Sequence, residues 1–274
     1  MSVSIFSLIR WGLKVGIDFT GGSMIEYRLS KDINSSQVTD KLKEIGVSNL
    51  TVDINDKILT VNSSPLKPDL KIKTDEVLKN IDAGNTELRY EVVGPTIGPE
   101  LVQKTVYALI LSAFLILLWV AYQFKNIKYG LAATLATLHD SIVLLGSFSL
   151  LGHFMGVEID FLFVTAMLTI LSFSVHDTIV VFDRIREVRK KTSGELSEIA
   201  DEALTQTMVR SLNNSFTIIF MLVALALLGG DTIKWFAVAL LVGTISGTYS
   251  SPFVAVPLLI TFDKIKRIGP NFKK

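Results

Sequence analysis

The stretch FLFVTAMLTILSFSVHDTIVVF, residues 161–182, decides the fold. It is long enough to cross the hydrocarbon core of a bilayer, which takes about 20 apolar residues. Yet it carries His176 and Asp177 within it. A charged side chain at the bilayer centre costs about 2.5–3.5 kcal/mol on the insertion scale, so such a residue marks a proton relay, an ion path or a buried structural partner. A second stretch, TLHDSIVLLG at residues 137–146, repeats the pattern with His139 and Asp140. The shared H-D-[ST]-I-V is a short internal similarity. The chain has only 3 histidines, so two of them stand beside these aspartates.

The remainder of the chain agrees with a membrane protein. Hydrophobic residues make up 49% and charged residues 19%, and the mean hydropathy is +0.47. A net charge of +1 gives no field that would draw nucleic acid. The absence of cysteine excludes disulfides, thiol catalysis and zinc–thiolate sites. Apolar runs mark five spans, at 104–124, 129–153, 161–182, 212–228 and 233–262. The last is long enough to tilt or to kink at Pro252 or Pro257. Residues 5–15, IFSLIRWGLKV, are too short to span and contain Arg10 and Lys14. They read as the tail of a span whose beginning is missing or shortened, so residues 1–16 are expected to be a partial first span.

Residues 17–100 differ, with charges throughout and no long apolar run. SMIEYRL alternates as a strand. SSQVTDKLKEIG reads as a helix capped by serine, with Val38, Leu42 and Ile45 inward and a stop at Gly46. LTVDIND and KILTVNS pair as a hairpin around Asn55-Asp56, KTDEVLKNIDAG is a helix capped by Thr74 with Val77, Leu78 and Ile81 inward, and TELRYEVVG is a last strand. The order βαββαβ predicts a ferredoxin-like α+β domain. The expected fold is therefore an α-helical polytopic membrane protein carrying an external ferredoxin-like domain, with residues 101–274 forming a five-helix bundle.

Basic residues set the orientation. Lys125 and Lys128 lie in one connector, Arg184, Arg186, Arg189, Lys190 and Lys191 open another, and Lys264, Lys266, Arg267, Lys273 and Lys274 fill the tail. The alternate loops, GVEID and GGDTIK, are short and mostly not basic. The positive-inside rule puts the basic connectors, including a loop expected at 184–210, and both termini in the cytoplasm, with the ferredoxin-like segment outside.

On this topology Asp140 lies about 10 residues, or roughly 15 Å, from the basic end of its span, and Asp177 about 6 residues, or roughly 9 Å, from the basic end of the next. The two pairs can face each other across antiparallel helices. A carboxyl in a low-dielectric interior favours its neutral form, so it can take up and release a proton near neutral pH, and a nearby imidazole or guanidinium tunes it. The competing reading makes Asp140 and Asp177 structural groups bonded to Ser141, Thr178 or Ser174, and gives His139 and His176 the role of capping a carbonyl. Arg210, at the entry of the next span, reads either as a snorkelling anchor or as a partner of Asp177. Asp183, Arg184 and Arg186 read as a solvated helix end. Gly243 and Gly247, with Ser246, Ser250 and Ser251, read as a close helix-packing face. No GxxxxGK[ST], HExxH or GxSxG occurs, so no enzyme and no cofactor is expected, and energy must come from a gradient or a partner.

Five segments carry a family resemblance: GIDFTGGSMIEYRL at 16–29, VGPTIGPEL at 93–101, TLHDSIVLLGSFSLLG at 137–152, VHDTIVVFDRIRE at 175–187 and GTYSSPFVAVPLL at 247–259. In order and spacing they resemble the SecF branch of the SecD/SecF family of protein-export membrane subunits. The SecD branch fits less well, because its large extra external domain is absent and its fourth motif reads closer to ANVLIFERIRE. The resemblance implies a fold like that of resistance–nodulation–division permeases, with six spans and an external domain after the first. It implies work beside the SecYEG channel with SecD, with YajC and the translocating preprotein as further partners, in the bacterial inner membrane. It also implies use of the proton-motive force to promote late export. The family's proton-path aspartate carries over to Asp177, its basic residue before the fifth span to Arg210, and the aspartate of the third span to Asp140. Asp18, Gly21 and Gly22 fall in the DFTGG motif, and Asp183 and Arg184 in the DRIRE segment. The family's Asn before the key Asp is His176 here. A small-molecule proton antiporter of the same superfamily and a non-transporting scaffold are the alternatives.

Overall fold

The computed structural model describes residues 1–55, 57–94 and 97–268, without the side chains of 231 and 266–268. Asp56 of the hairpin turn, Pro95 and Thr96 of the VGPTIGPEL segment, and Lys273 and Lys274 of the basic tail lie outside the described residues. The chain forms two compact units, Val15–Val106 and Met1–Lys14 with Tyr107–Lys274. In chain order, α1 (Ser2–Trp11) belongs to the second of these, and α2 (Ile17–Thr20), β1 (Gly22–Arg28), α3 (Ser35–Glu44), β2 (Thr51–Asn55), β3 (Ile58–Ser63), α4 (Pro68–Ile81) and β4 (Thr86–Val93) to the first.

The four strands pair antiparallel in the order β2-β3-β1-β4, the order of a βαββαβ ferredoxin-like unit. Alternation sends Leu59 and Val61 of β3 to the same side as Ile25 and Tyr27 of β1, where Val38 and Leu42 of α3 and Leu78 and Ile81 of α4 complete the core. Asn34, rather than a serine, caps α3 by accepting from Ser36 N–H at 3.0 Å. The second helix also differs from expectation. It begins at Pro68 rather than at a Thr74 cap, because a proline at the first turn sacrifices no hydrogen bond. Thr74 is buried mid-helix with its hydroxyl on Leu70 O at 2.8 Å.

The DFTGG segment holds a tight turn. Gly21 and Gly22 take φ values of 70° and 137°, which side-chain-bearing residues rarely adopt. A Cβ on Gly22 would stand 2.5 Å from the carbonyl oxygen of Ser63 on the neighbouring strand. Asp18 lies in the first turn of α2.

The chain continues with α5 (Ile97–Phe124), which enters the second unit at Tyr107, and then α6 (Ile127–Met155), α7 (Phe161–Lys191), α8 (Leu196–Leu228), α9 (Asp231–Ser250), a π-helical turn (Ser251–Ala255) and α10 (Val256–Ile268). Among the described residues, five helices are long and apolar enough to cross a membrane, the last formed by α9 running into α10. Pro252 sits in the π-helical turn, so the chain absorbs the missing N–H by widening locally rather than breaking.

The basic stretch at 184–210, expected as a loop, is almost wholly helical: α7 runs to Lys191 and α8 starts at Leu196. Ile185, Val188, Leu196, Ile199, Ala200 and Ala203 are buried at helical spacing among the charges, and they join Val256 and Leu259 in one apolar cluster. Average hydropathy conceals such an amphipathic pattern. Phe124 stacks on Tyr129 at 4.9 Å, and Phe182 meets Tyr129 edge-on at 5.1 Å in the same cluster. The short α1 packs along α6, with Ser7 Oγ donating to Gly146 O at 2.9 Å and Trp11 stacked on His153 at 4.3 Å.

Candidate functional site: a polar seam inside the helix bundle

Half of the most apolar window of α6 and of α7 is buried, so polar side chains on their inner faces must find partners within the protein. On α7 the positions 174, 177 and 178 share one face, being three or four residues apart. On α9 the same spacing aligns Ser246 and Ser250. Close approach of α7 and α9 depends on glycine. A Cβ on Gly247 would lie 3.3 Å from the Cα of Ser174, and one on Gly243 would overlap the side chain of Ile170.

Asp140 stands at the centre of this contact and is 1% exposed. Ser246 Oγ donates to its Oδ1 at 2.6 Å, and Ser174 Oγ and Ser250 Oγ each donate to its Oδ2 at 2.6 Å. His139 Nδ1 lies 3.1 Å from Oδ1. Hydroxyls on two neighbouring helices therefore converge on one carboxylate of a third. One turn further along, Thr178 Oγ1 and Ser251 Oγ are 3.0 Å apart, joining α7 to the π-helical turn.

Asp177 is also buried, at 8% exposure, but it is more sparsely met. Ser211 Oγ of α8 donates to its Oδ2 at 3.2 Å. Ser211 also lines a cavity of about 20 Å³ between Val181, Thr207, Met208, Thr248 and Pro252, about the space that one water molecule requires. Thr248 Oγ1 donates to Ser215 Oγ at 2.7 Å, which ties α9 to α8 beside it.

The structure thus brings Asp140, His139, Gly243 and Gly247 into one seam and sets Asp177 at its edge. His176 is exposed, as is Arg210, one position before the serine that reaches Asp177. Asp183 accepts from Arg186 Nη2 at 2.7 Å, and Arg184 Nε donates to Gln206 Oε1 at 2.6 Å on α8. Among the described residues no group of three or more His, Cys, Asp or Glu could hold a metal ion.

Ser174 is among the partners the sequence offered for the aspartates, and it donates to Asp140. Ser246 and Ser250 were legible as small residues on a packing face, but not as donors. Their spacing of four, equal to that between Ser174 and Thr178, was the available signal. Nothing in the sequence distinguishes Ser211 from other residues at the start of an apolar run.

Comparison with known proteins bears on the whole chain. The family model described as "Protein export membrane protein SecD/SecF, C-terminal" matches residues 73–265, and the "SecD/SecF GG Motif" model matches residues 9–33. The protein translocase subunit SecF of Thermobaculum terrenum is 40% identical, over 93% of this chain and 86% of its own length. That of Synechocystis sp. is 35% identical over 93% of this chain and 87% of its own. The crystal structure of SecDF, a translocon-associated membrane protein from Thermus thermophilus, superposes with a TM-score of 0.86 at 31% identity. It matches 96% of this chain, which spans only 36% of that longer one. With two family models covering most of its length and SecF relatives matched nearly end to end, the chain belongs to the SecD/SecF family of protein-export membrane proteins.

Proposed function

We propose that this chain is the SecF-type auxiliary subunit of a bacterial Sec translocase, and that it couples inward proton flow to late steps of protein export. The observation that carries the coupling is the placement of Asp177. It is a carboxyl buried in a membrane-spanning helix, held by a hydroxyl of α8 beside a cavity with room for one water. A carboxyl so placed can exchange a proton with water without dismantling a network of bonds, which suits a carrier. Arg210, on the helix that provides Ser211, is the cation that can approach Asp177 when α7 and α8 shift.

The basic residues of the α5–α6 and α7–α8 connections face the cytoplasm in this reading, as do both termini, in the bacterial inner membrane. The ferredoxin-like unit is then extracytoplasmic, where it can meet an emerging preprotein. SecD is the expected partner within the membrane. It is argued from the solved relative SecDF, of whose longer chain this one matches 36%, and from the exposed polar residues of two spans. His176 and Ser172 on α7, and Arg210, Asn213 and Asn214 on α8, are all exposed within or beside apolar stretches. Lipid offers such groups no hydrogen bonds, whereas the helices of a second subunit can. SecYEG and YajC complete the assembly in this proposal.

Reconstitution tests the reading. Vesicles containing the translocase, SecD and this chain should export a preprotein faster under an imposed proton gradient than without it. Gradient-independent stimulation would favour the scaffold reading.

A further inference from the structure

We propose that Asp140 is a second proton site, which acts as a clamp on α6, α7 and α9 with Ser250 as its switching donor. The clamp is closed in the structure. Three hydroxyl groups from two helices stand 2.6 Å from one carboxylate, and all three can donate to its ionised form. A proton arriving from water on Oδ2 forms an O–H bond there and makes that oxygen a donor. Ser174 and Ser250 both donate to Oδ2, and after protonation one of them must turn. Ser250 has somewhere to turn, because the carbonyl oxygen of Gly247 on its own helix lies 3.2 Å from its Oγ. Ser174 can then accept the new carboxyl proton. The outcome is an exchanged hydrogen bond and the loss of one direct tie between α6 and α9.

The surroundings favour movement at that point. The π-helical turn starts at the residue after Ser250, with Pro252 inside it, so the backbone next to the clamp is already wider than an α-helix. The groups facing the clamp are few. On α6 it is His139, 3.1 Å from Oδ1. On α7 they are Asp177 and His176, within a turn of Ser174, the latter exposed. On α9 the nearest titratable side chain is Tyr249, which is exposed. The proposal extends the proton-coupled reading above, and its test is read on the helices rather than on export, so the two can fail separately.

Hydrogen–deuterium exchange of the full chain with its SecD partner in lipid nanodiscs provides the test. Exchange in peptides covering residues 244–256, corrected for the intrinsic pH dependence of amide exchange, should rise roughly tenfold on acidification, the change that loss of one charge-assisted hydrogen bond supports. The rise should vanish in Asp140→Asn and persist in Asp177→Asn. If Asp140→Asn does not assemble, Ser250→Ala serves instead and should flatten the profile. The proposal is overturned by a profile independent of pH in the unmodified chain. It is equally overturned by a rise that survives in Asp140→Asn or Ser250→Ala, or one that disappears only in Asp177→Asn.

Discussion

Three serine hydroxyls donate to Asp140 and one donates to Asp177, a difference that separates two aspartates alike in sequence. Both follow histidine and precede a small hydroxyl residue and Ile-Val, so their local motifs cannot tell them apart. The difference arises from which helices lie opposite, and that is a tertiary fact. At Asp177 the role of Ser211 can be examined singly. Ser211→Ala removes the donor without adding bulk. It should leave the subunit inserted and shift the pH at which export stimulation is half-maximal, measured by titrating the outer pH of energised vesicles. Gly22 offers a second residue-scale test. At φ 137°, with the Ser63 carbonyl oxygen 2.5 Å from any Cβ, Gly22→Ala should destabilise the ferredoxin-like unit by about 1–3 kcal/mol, seen as earlier thermal unfolding of the purified subunit.

Among the elements, strands and spans were readable wherever a period or a long apolar run dominates. The βαββαβ order emerges from alternation in SMIEYRL and KILTVNS, and the sheet order agrees with it. The beginnings of helices were harder. Pro68 opens α4 in a segment whose first turns carry charge, and Asn34 caps α3 from just outside the serine pair. The start of α8 at Leu196 was obscured because its first turns are amphipathic and charged while its later turns are apolar. One of the turns between elements provides a pH test. Asp82 accepts from Ser30 N–H at 2.7 Å, from the Ser30 hydroxyl, and from Gly84 N–H at 3.1 Å. The Ser30 hydroxyl, followed by the backbone donors, holds its carboxyl below the usual range. A carboxyl depressed in the folded state stabilises fully above its unfolded value, about 3.9, and this contribution is lost as pH falls towards the folded value. Acid unfolding of the ferredoxin-like unit, followed by amide exchange near Ser30, should thus have a limb below about pH 4 that Asp82→Ala removes.

For the molecule as a whole, α5 and α8 show how much of a membrane subunit awaits neighbours. Only 6% and 11% of their most apolar windows are buried within this chain, against half for α6 and α7. Exposed Leu and Phe residues there suit lipid, but Asn213 and Asn214 do not. Replacing both with leucine should preserve insertion and weaken copurification with SecD, measured by pull-down from mild detergent; undiminished recovery would remove this face from the interface. Asp177→Asn, reconstituted with SecD and the translocase, is compared with the unmodified chain for preprotein export under an imposed proton gradient. Stimulation by the gradient should disappear while membrane insertion and association with SecD remain intact. Undiminished stimulation in that variant would contradict a proton-carrying role for Asp177.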